Sequence, residues 1–229
     1  MTKDSLGDRI KRYERTQNPL LMTKVPLFIR IDGKAFHTWT RGCEKPFDQR
    51  LVNAMVNAAI YTAKEMQGFV LGYVQSDEAT FMLSDYTSYE SQGWFGYELN
   101  KIVSVSASLF TAYFNHEAEW RFAGEGRGPA FFDSRAFSVP HSDAPNVFIW
   151  RQQDWVRNSV QMLARSVFSH KELLNKRIPE IHEMLHAQGV NWAMLPNQLK
   201  NGTFITPGGS TDFGKLSYEA IAALLPEPL

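Results

Sequence analysis

Cysteine is nearly lacking: Cys43 is the only one in 229 residues. No disulfide within the chain and no cysteine-built zinc cluster can form, and a reducing compartment is the expected setting. An excess of charge of either sign is also missing, because 24 basic and 24 acidic side chains cancel. A nucleic-acid partner would therefore have to be held by a local basic surface, or by one assembled across subunits. No run approaches the ~20 apolar residues that cross a bilayer, and residues 1–15 are charged without an apolar signal core. The expectation is a soluble, cytoplasmic chain with no membrane partner. Internal repeats, low-complexity tracts and linker-like stretches are absent too. What is present is 44% hydrophobic and 13% aromatic residues, enough for one compact unit or a core with a smaller appendage.

Periodicity orders the first part of the chain. Leu6, Ile10 and Tyr13 fall at helical spacing among Arg and Lys residues, predicting a short amphipathic helix. Residues 25–32 read as a strand ended by the turn pair Asp32-Gly33, and residues 46–68 as a helix that Asp48 caps. Residues 69–75 and 78–83 are β-rich runs separated by Ser76-Asp77, which predicts a hairpin. A second helix over 96–114, a Gly-rich loop over 124–129 and a strand over 131–140 complete a βαββαβ order. That is an α+β, ferredoxin-like pattern, shared by polymerase palms and many RNA-binding modules, and it is an architecture rather than a function. From Pro145 onward the reading is mainly helical, with helices over 147–168, 178–188 and 218–225, and Pro207-Gly208-Gly209 as a simple loop. The division expected is a catalytic core over 1–140 and a helical part over 141–229 packed on it as one unit.

Two carboxylates stand out in this order. Asp32 closes the first strand and Asp77 lies in the turn before the third. In a split βαβ sheet the third strand inserts antiparallel beside the first, so the two acids should converge, with Glu78 adjacent and the Gly33 carbonyl free to point inward. Magnesium prefers a few hard oxygen ligands and leaves room for water and phosphate, so the pair could hold one or two such ions for phosphoryl displacement. The competing reading is that each acid is only turn chemistry.

The segments R-I-D-G-K-A-F-H (30–37), K-P-F-D (45–48), Q-S-D-E-A-T-F (75–81), W-F ahead of Lys101, F-D-S-R (132–135) and W-R-Q-Q-D (150–154) occur in that order. Together they resemble the ordered motif set of the tRNA-His guanylyltransferase family, over about residues 9–205. The resemblance implies a palm-like core that adds nucleotides to the 5′ end of tRNA in the 3′-to-5′ direction. ATP or sometimes GTP activates the 5′-monophosphate, and the 3′-hydroxyl of GTP then attacks it. It further implies two Mg2+ ions at Asp32, the Gly33 carbonyl and Asp77, with Glu78 as their acidic neighbour, and a homotetramer. His37, Lys45, Asp48, Ser76, Lys101 and Asn158 fall at its nucleotide-contacting positions. Their chemistry agrees: Lys45 and Lys101 offer compact positive charge, His37 and Ser76 offer donors, and Arg30 or Arg135 could bracket a phosphate.

One departure bears on substrate choice. Members specific for histidine tRNA carry H-I-N-N-L-Y-N-T after the W-R-Q-x-D-C segment, whereas here Asp154 is followed by W-V-R-N-S-V-Q-M-L and only Asn158 survives clearly. This resembles the guanylyltransferase-like branch that repairs 5′-truncated tRNAs. Two other readings compete. His182-Glu183-Met184-Leu185-His186 fits the H-E-x-x-H zinc-protease helix, although Trp192 stands where a third histidine would be needed. A non-catalytic RNA-binding module would share the βαββαβ order but would stack bases on aromatic residues of its sheet.

Overall fold

The structure, a computed structural model, describes residues 5–229. The start of the segment read for an export signal, residues 1–4, lies outside the described residues. The elements in order are α1 (Leu6–Thr16), β1 (Leu27–Gly33), α2 (Phe36–Trp39), α3 (Gln49–Lys64), β2 (Phe69–Gln75), β3 (Glu78–Leu83), α4 (Leu99–Arg121) and β4 (Phe132–Ser138). They continue with α5 (Ala144–Val167), α6 (His170–Leu173), α7 (Ile178–Ala187), α8 (Asn197–Asn201), β5 (Thr203–Thr206), β6 (Gly209–Thr211) and α9 (Tyr218–Ala222). One six-stranded sheet runs β4-β1-β3-β2-β5-β6. Its first four strands are the predicted split βαβ arrangement. Every adjacent pair is antiparallel.

Alternation along the strands builds two cores. Leu27, Ile29 and Ile31 of β1, with Ala79, Phe81 and Leu83 of β3, face α3 and α4. Phe28 and Met82 point the other way, against Ala144 and Phe148 of α5 and Ile221 of α9. Both faces of the central strands are thus covered by helices. An RNA-recognition sheet needs one open aromatic face, and no such face is free on these strands.

The C-terminal part departs from the sequence reading. Residues 203–211, in the part read as mainly helical with 207–209 a simple loop, form the β5–β6 hairpin that extends the sheet from β2. The segments T-F-I-T and G-S-T are too short to show a period of two. Tertiary packing makes them strands: Gly72 leaves room for Ile205, whose Cβ would lie 3.2 Å from a Cβ at that glycine. The Tyr73 hydroxyl donates to the Asn201 carbonyl at 2.7 Å, fixing the entry to β5. The sheet therefore contains strands from both sides of position 140. At the other end, α1 forms as predicted, but Leu6, Ile10 and Tyr13 are all exposed.

Asp48 illustrates how one residue sets a helix start. Its carboxylate accepts the Arg50 backbone N–H at 3.0 Å, capping α3, and also the Glu44 N–H at 3.0 Å and the Arg50 guanidinium at 2.8 Å. Burial alone would raise this acid, but the hydrogen bonds from Arg50 and Glu44 outweigh it and hold the pKa at about 2. A depressed carboxyl contributes stability above its unfolded pKa of 3.8, and that contribution is lost as pH falls through the folded value. Asp48→Asn is expected to cost roughly 2 kcal/mol near pH 7. The deficit should shrink as urea denaturation is repeated from about pH 4 down to about pH 2. A deficit that stays constant over that range would show that the charge is not what stabilises the cap.

Candidate active site

The antiparallel register of β1 and β3 pairs Asp32 with Glu78, so the end of one strand meets the turn before the other. Ser76 and Asp77 form that turn, and Ser76 takes a left-handed φ of 48°. The Gly33 N–H donates to the Asp77 carbonyl at 3.1 Å. A Cβ on Gly33 would lie 2.4 Å from the Phe36 ring and 3.0 Å from the Asp77 carboxylate, so only glycine allows this approach. Two acids that are 45 positions apart (77 − 32) are in this way brought to one edge.

Burial pushes the Asp77 carboxyl above its ordinary value, and the negative charge of Asp32 pushes it the same way; hydrogen bonds from its own backbone and Ser76 oppose them. The pair borders a cleft of about 690 Å³ that His37, Lys45, Asp48 and Ser76 also line. Seven of the positions expected from the sequence, counting Gly33, thus line one cavity. Asp48 lies in the wall with its oxygens already engaged, and through Glu44 it fixes the segment that carries Lys45. The far wall comes from α5, which contributes Trp155, Met162, Arg165 and Ser166. Arg165 was not singled out from the sequence. It lies in a helical stretch with no motif, and only the path of α5 across the sheet brings it to the cleft. Neither Lys45 nor Arg165 has an ion-pair partner among the described residues.

The remaining predicted positions lie elsewhere. Glu78 is not in the cleft wall: Arg151 donates to it at 2.7 Å and Arg30 stands at 3.9 Å. Burial raises the Glu78 carboxyl, while the Arg151 and Arg30 charges pull it back. Arg151 is itself buried and bridges to Asp154 at 3.3 Å. Asn158 donates to Asp154 at 3.3 Å. Arg135, opposite Arg30 in the β1–β4 register, is exposed and pairs with Asp133 at 3.4 Å. These groups cluster on the α5 side of the sheet. Lys101 is separated from both sets. Ser106 of α4 meets Ser134, the partner of Ile31, and Lys101 lies more than a turn earlier, its ammonium 4.9 Å from the centre of the Phe95 ring.

The protease motif is also accounted for. His182 packs edge-on against Trp192, with ring centres 5.8 Å apart. Among the described residues, no group of three or more His, Cys, Asp or Glu side chains is arranged to hold a metal ion. The acidic edge offers two carboxylates and a backbone carbonyl.

Residues 7–140 match the model of the family described as tRNAHis guanylyltransferase. The tRNA(His) guanylyltransferase of Schizosaccharomyces pombe is 32% identical over 209 residues, covering 85% of this chain and 77% of that protein. A solved bacterial tRNA(His) guanylyltransferase-like protein in complex with ATP is 41% identical, with a TM-score of 0.83 over 88% of this chain and 86% of its own. A second such structure, in complex with GTP, is 38% identical, with a TM-score of 0.74 over 89% of this chain and 84% of its own. With the family model spanning more than half of the chain and the acidic edge in place, the protein belongs to the tRNA-His guanylyltransferase family of nucleotidyltransferases.

Proposed function

We propose that this nucleotidyltransferase adds nucleotides in the 3′-to-5′ direction to the 5′ end of tRNA or a tRNA-like RNA. In the first step an oxygen of the RNA 5′-phosphate attacks the α-phosphorus of ATP and pyrophosphate leaves. In the second, the 3′-hydroxyl of GTP attacks the activated 5′-phosphate and AMP leaves. The observation that carries this reading is the Asp32–Asp77 pair in one cleft with Lys45 and Arg165, which have no ion-pair partner among the described residues. Two acids at one edge, with the Asp77 carboxyl raised by desolvation and by the charge of Asp32, call for a cation, and two cations lining the same cleft with no ion-pair partner among the described residues call for an anion. The bacterial relatives in complex with ATP and with GTP support the same reading.

Asp32, Asp77 and the Gly33 carbonyl are hard oxygen donors that suit Mg2+. Two such ions would neutralise triphosphate charge and activate the attacking hydroxyl. Lys45 and Arg165 take up phosphate oxygens, and His37 and Ser76 donate hydrogen bonds. Arg30, Arg135 and Asn158, on the α5 side, suit a second triphosphate. Lys101 reaches a nucleotide from a neighbouring subunit, consistent with a homotetramer acting in the cytoplasm.

Asp77→Asn separates this role from a structural one. An acid raised by burial and a like charge is a liability in the folded chain at pH values above its unfolded pKa, where the unfolded state ionises more easily. In EDTA at pH 7 the variant is expected to melt at a higher temperature than the wild type, yet to add no nucleotide. Magnesium should raise the melting temperature of the wild type only. A less stable variant, or one that keeps its activity, would contradict the assignment.

Substrate choice follows from the sequence after Asp154, where H-I-N-N-L-Y-N-T is replaced. Base pairing with the opposite acceptor strand then selects the nucleotide, and any 5′-truncated tRNA can offer that template. The value of kcat/KM for a truncated non-histidine tRNA is expected to exceed that for full-length histidine tRNA. A large preference for the latter, lost on changing its anticodon, would place the protein in the histidine-specific branch instead.

A further inference from the structure

A second groove, of about 580 Å³, lies beside the active-site cleft. The two cavities share Ala35, and the segment from Gly33 through α2 forms the wall between them. The second groove is lined by Lys34 and Arg41 on one side, by Gly126, Gly128 and Phe131 on the other, and by Trp39. The Lys34 N–H donates to the Phe131 carbonyl at 2.8 Å, so the cation next to Gly33 and the aromatic residue just before β4 are tied together.

Three features point to an occupant. Lys34 and Arg41 are exposed, and their side chains have no ion pair among the described residues. By contrast, the acid on this rim, Glu125, is neutralised by Arg50 at 2.5 Å and Arg127 at 2.6 Å. The rim therefore presents net positive charge in a chain whose total is zero. Phe131 is 55% exposed and so presents part of its aromatic ring to solvent. Gly128 has an ordinary φ, and a Cβ there would meet nothing within 4 Å. Neither backbone strain nor crowding requires glycine, and its effect is to keep the groove floor clear.

We propose that this groove receives the unpaired end of the RNA substrate, its phosphates at Lys34 and Arg41 and a base stacked on Phe131. This rests on the RNA-extending function proposed above and places the single-stranded 3′ strand in the groove while the 5′ end lies at Asp32 and Asp77, leaving the larger cleft to the triphosphate. Single strands are held in this way by cations along the backbone and aromatic rings under the bases. Each phosphate contact on a single strand contributes about 0.7 of salt slope.

The test compares two RNAs by fluorescence anisotropy, a tRNA acceptor stem with its single-stranded end and the same stem made blunt. For Lys34→Ala with Arg41→Ala, the dissociation constant of the overhanging RNA is expected to rise about tenfold or more, with the slope of log K against log salt reduced by about 1.4. Phe131→Ser should weaken the overhanging RNA by roughly tenfold and leave the blunt stem unchanged. KM for GTP should stay at the wild-type value in both variants. Unchanged RNA affinity and slope, or equal losses for both RNAs, would overturn the groove. Wild-type RNA binding without nucleotide addition would instead overturn the proposed function and leave the groove standing.

Discussion

The approach of Gly33 to Asp77 is the constraint on which the site depends. The β1–β3 register puts Asp32 opposite Glu78, and the Gly33 N–H holds the Asp77 carbonyl, so the two carboxylates face one cleft only while no side chain intervenes. Phe36 fills the space a Cβ would need, and its ring packs on Phe114 and Phe132 at 5.5 and 5.3 Å. Core packing and the geometry of the acidic edge are therefore the same contact seen from two sides. The stability of the aromatic cluster holds together two like charges that would otherwise separate.

Strand alternation then sorts the motif residues by face. Arg30 and Glu78 point towards α5, where Arg151 and Asp154 complete a partly buried ion network. Such a network adds little net stability, because desolvation offsets much of its attraction, but it fixes geometry. Here it ties the hairpin that carries Asp77 to the helix that carries Trp155 and Arg165. The two sides of the cleft are thereby held in one relation. Asp48 does the same for the third side, since its capping of α3 and its hold on the Glu44 N–H set where Lys45 stands.

Much of this was legible in the sequence. The hairpin boundaries at 69–75 and 78–83 agree with β2 and β3, because a two-residue turn between apolar runs is a strong local signal. The Asp48 cap and the convergence of Asp32 with Asp77 followed from local chemistry and topology alone. What was not legible depends on tertiary placement. The strands β5 and β6 are too short for a period and exist because β2 offers a free edge. Arg165 has no motif around it, and nothing local says that α5 reaches past the sheet to the cleft. Lys101 carries a family-like position, yet the direction of α4 sets it apart from the cleft within one chain. A linear motif gives residue types and order, while the reach of each helix decides which of them meet.

The central claim is that the acidic edge at Asp32 and Asp77 is a divalent-metal site that organises the nucleotide. It is tested most directly by diffraction from crystals soaked with Mn2+ and a non-hydrolysable GTP analogue, using the anomalous signal to locate the ions. The account predicts anomalous peaks within coordination distance of both carboxylates and of the triphosphate, absent from crystals of the Asp32→Asn, Asp77→Asn double variant. Peaks that persist in the variant, or that lie only away from the acidic edge, would contradict it.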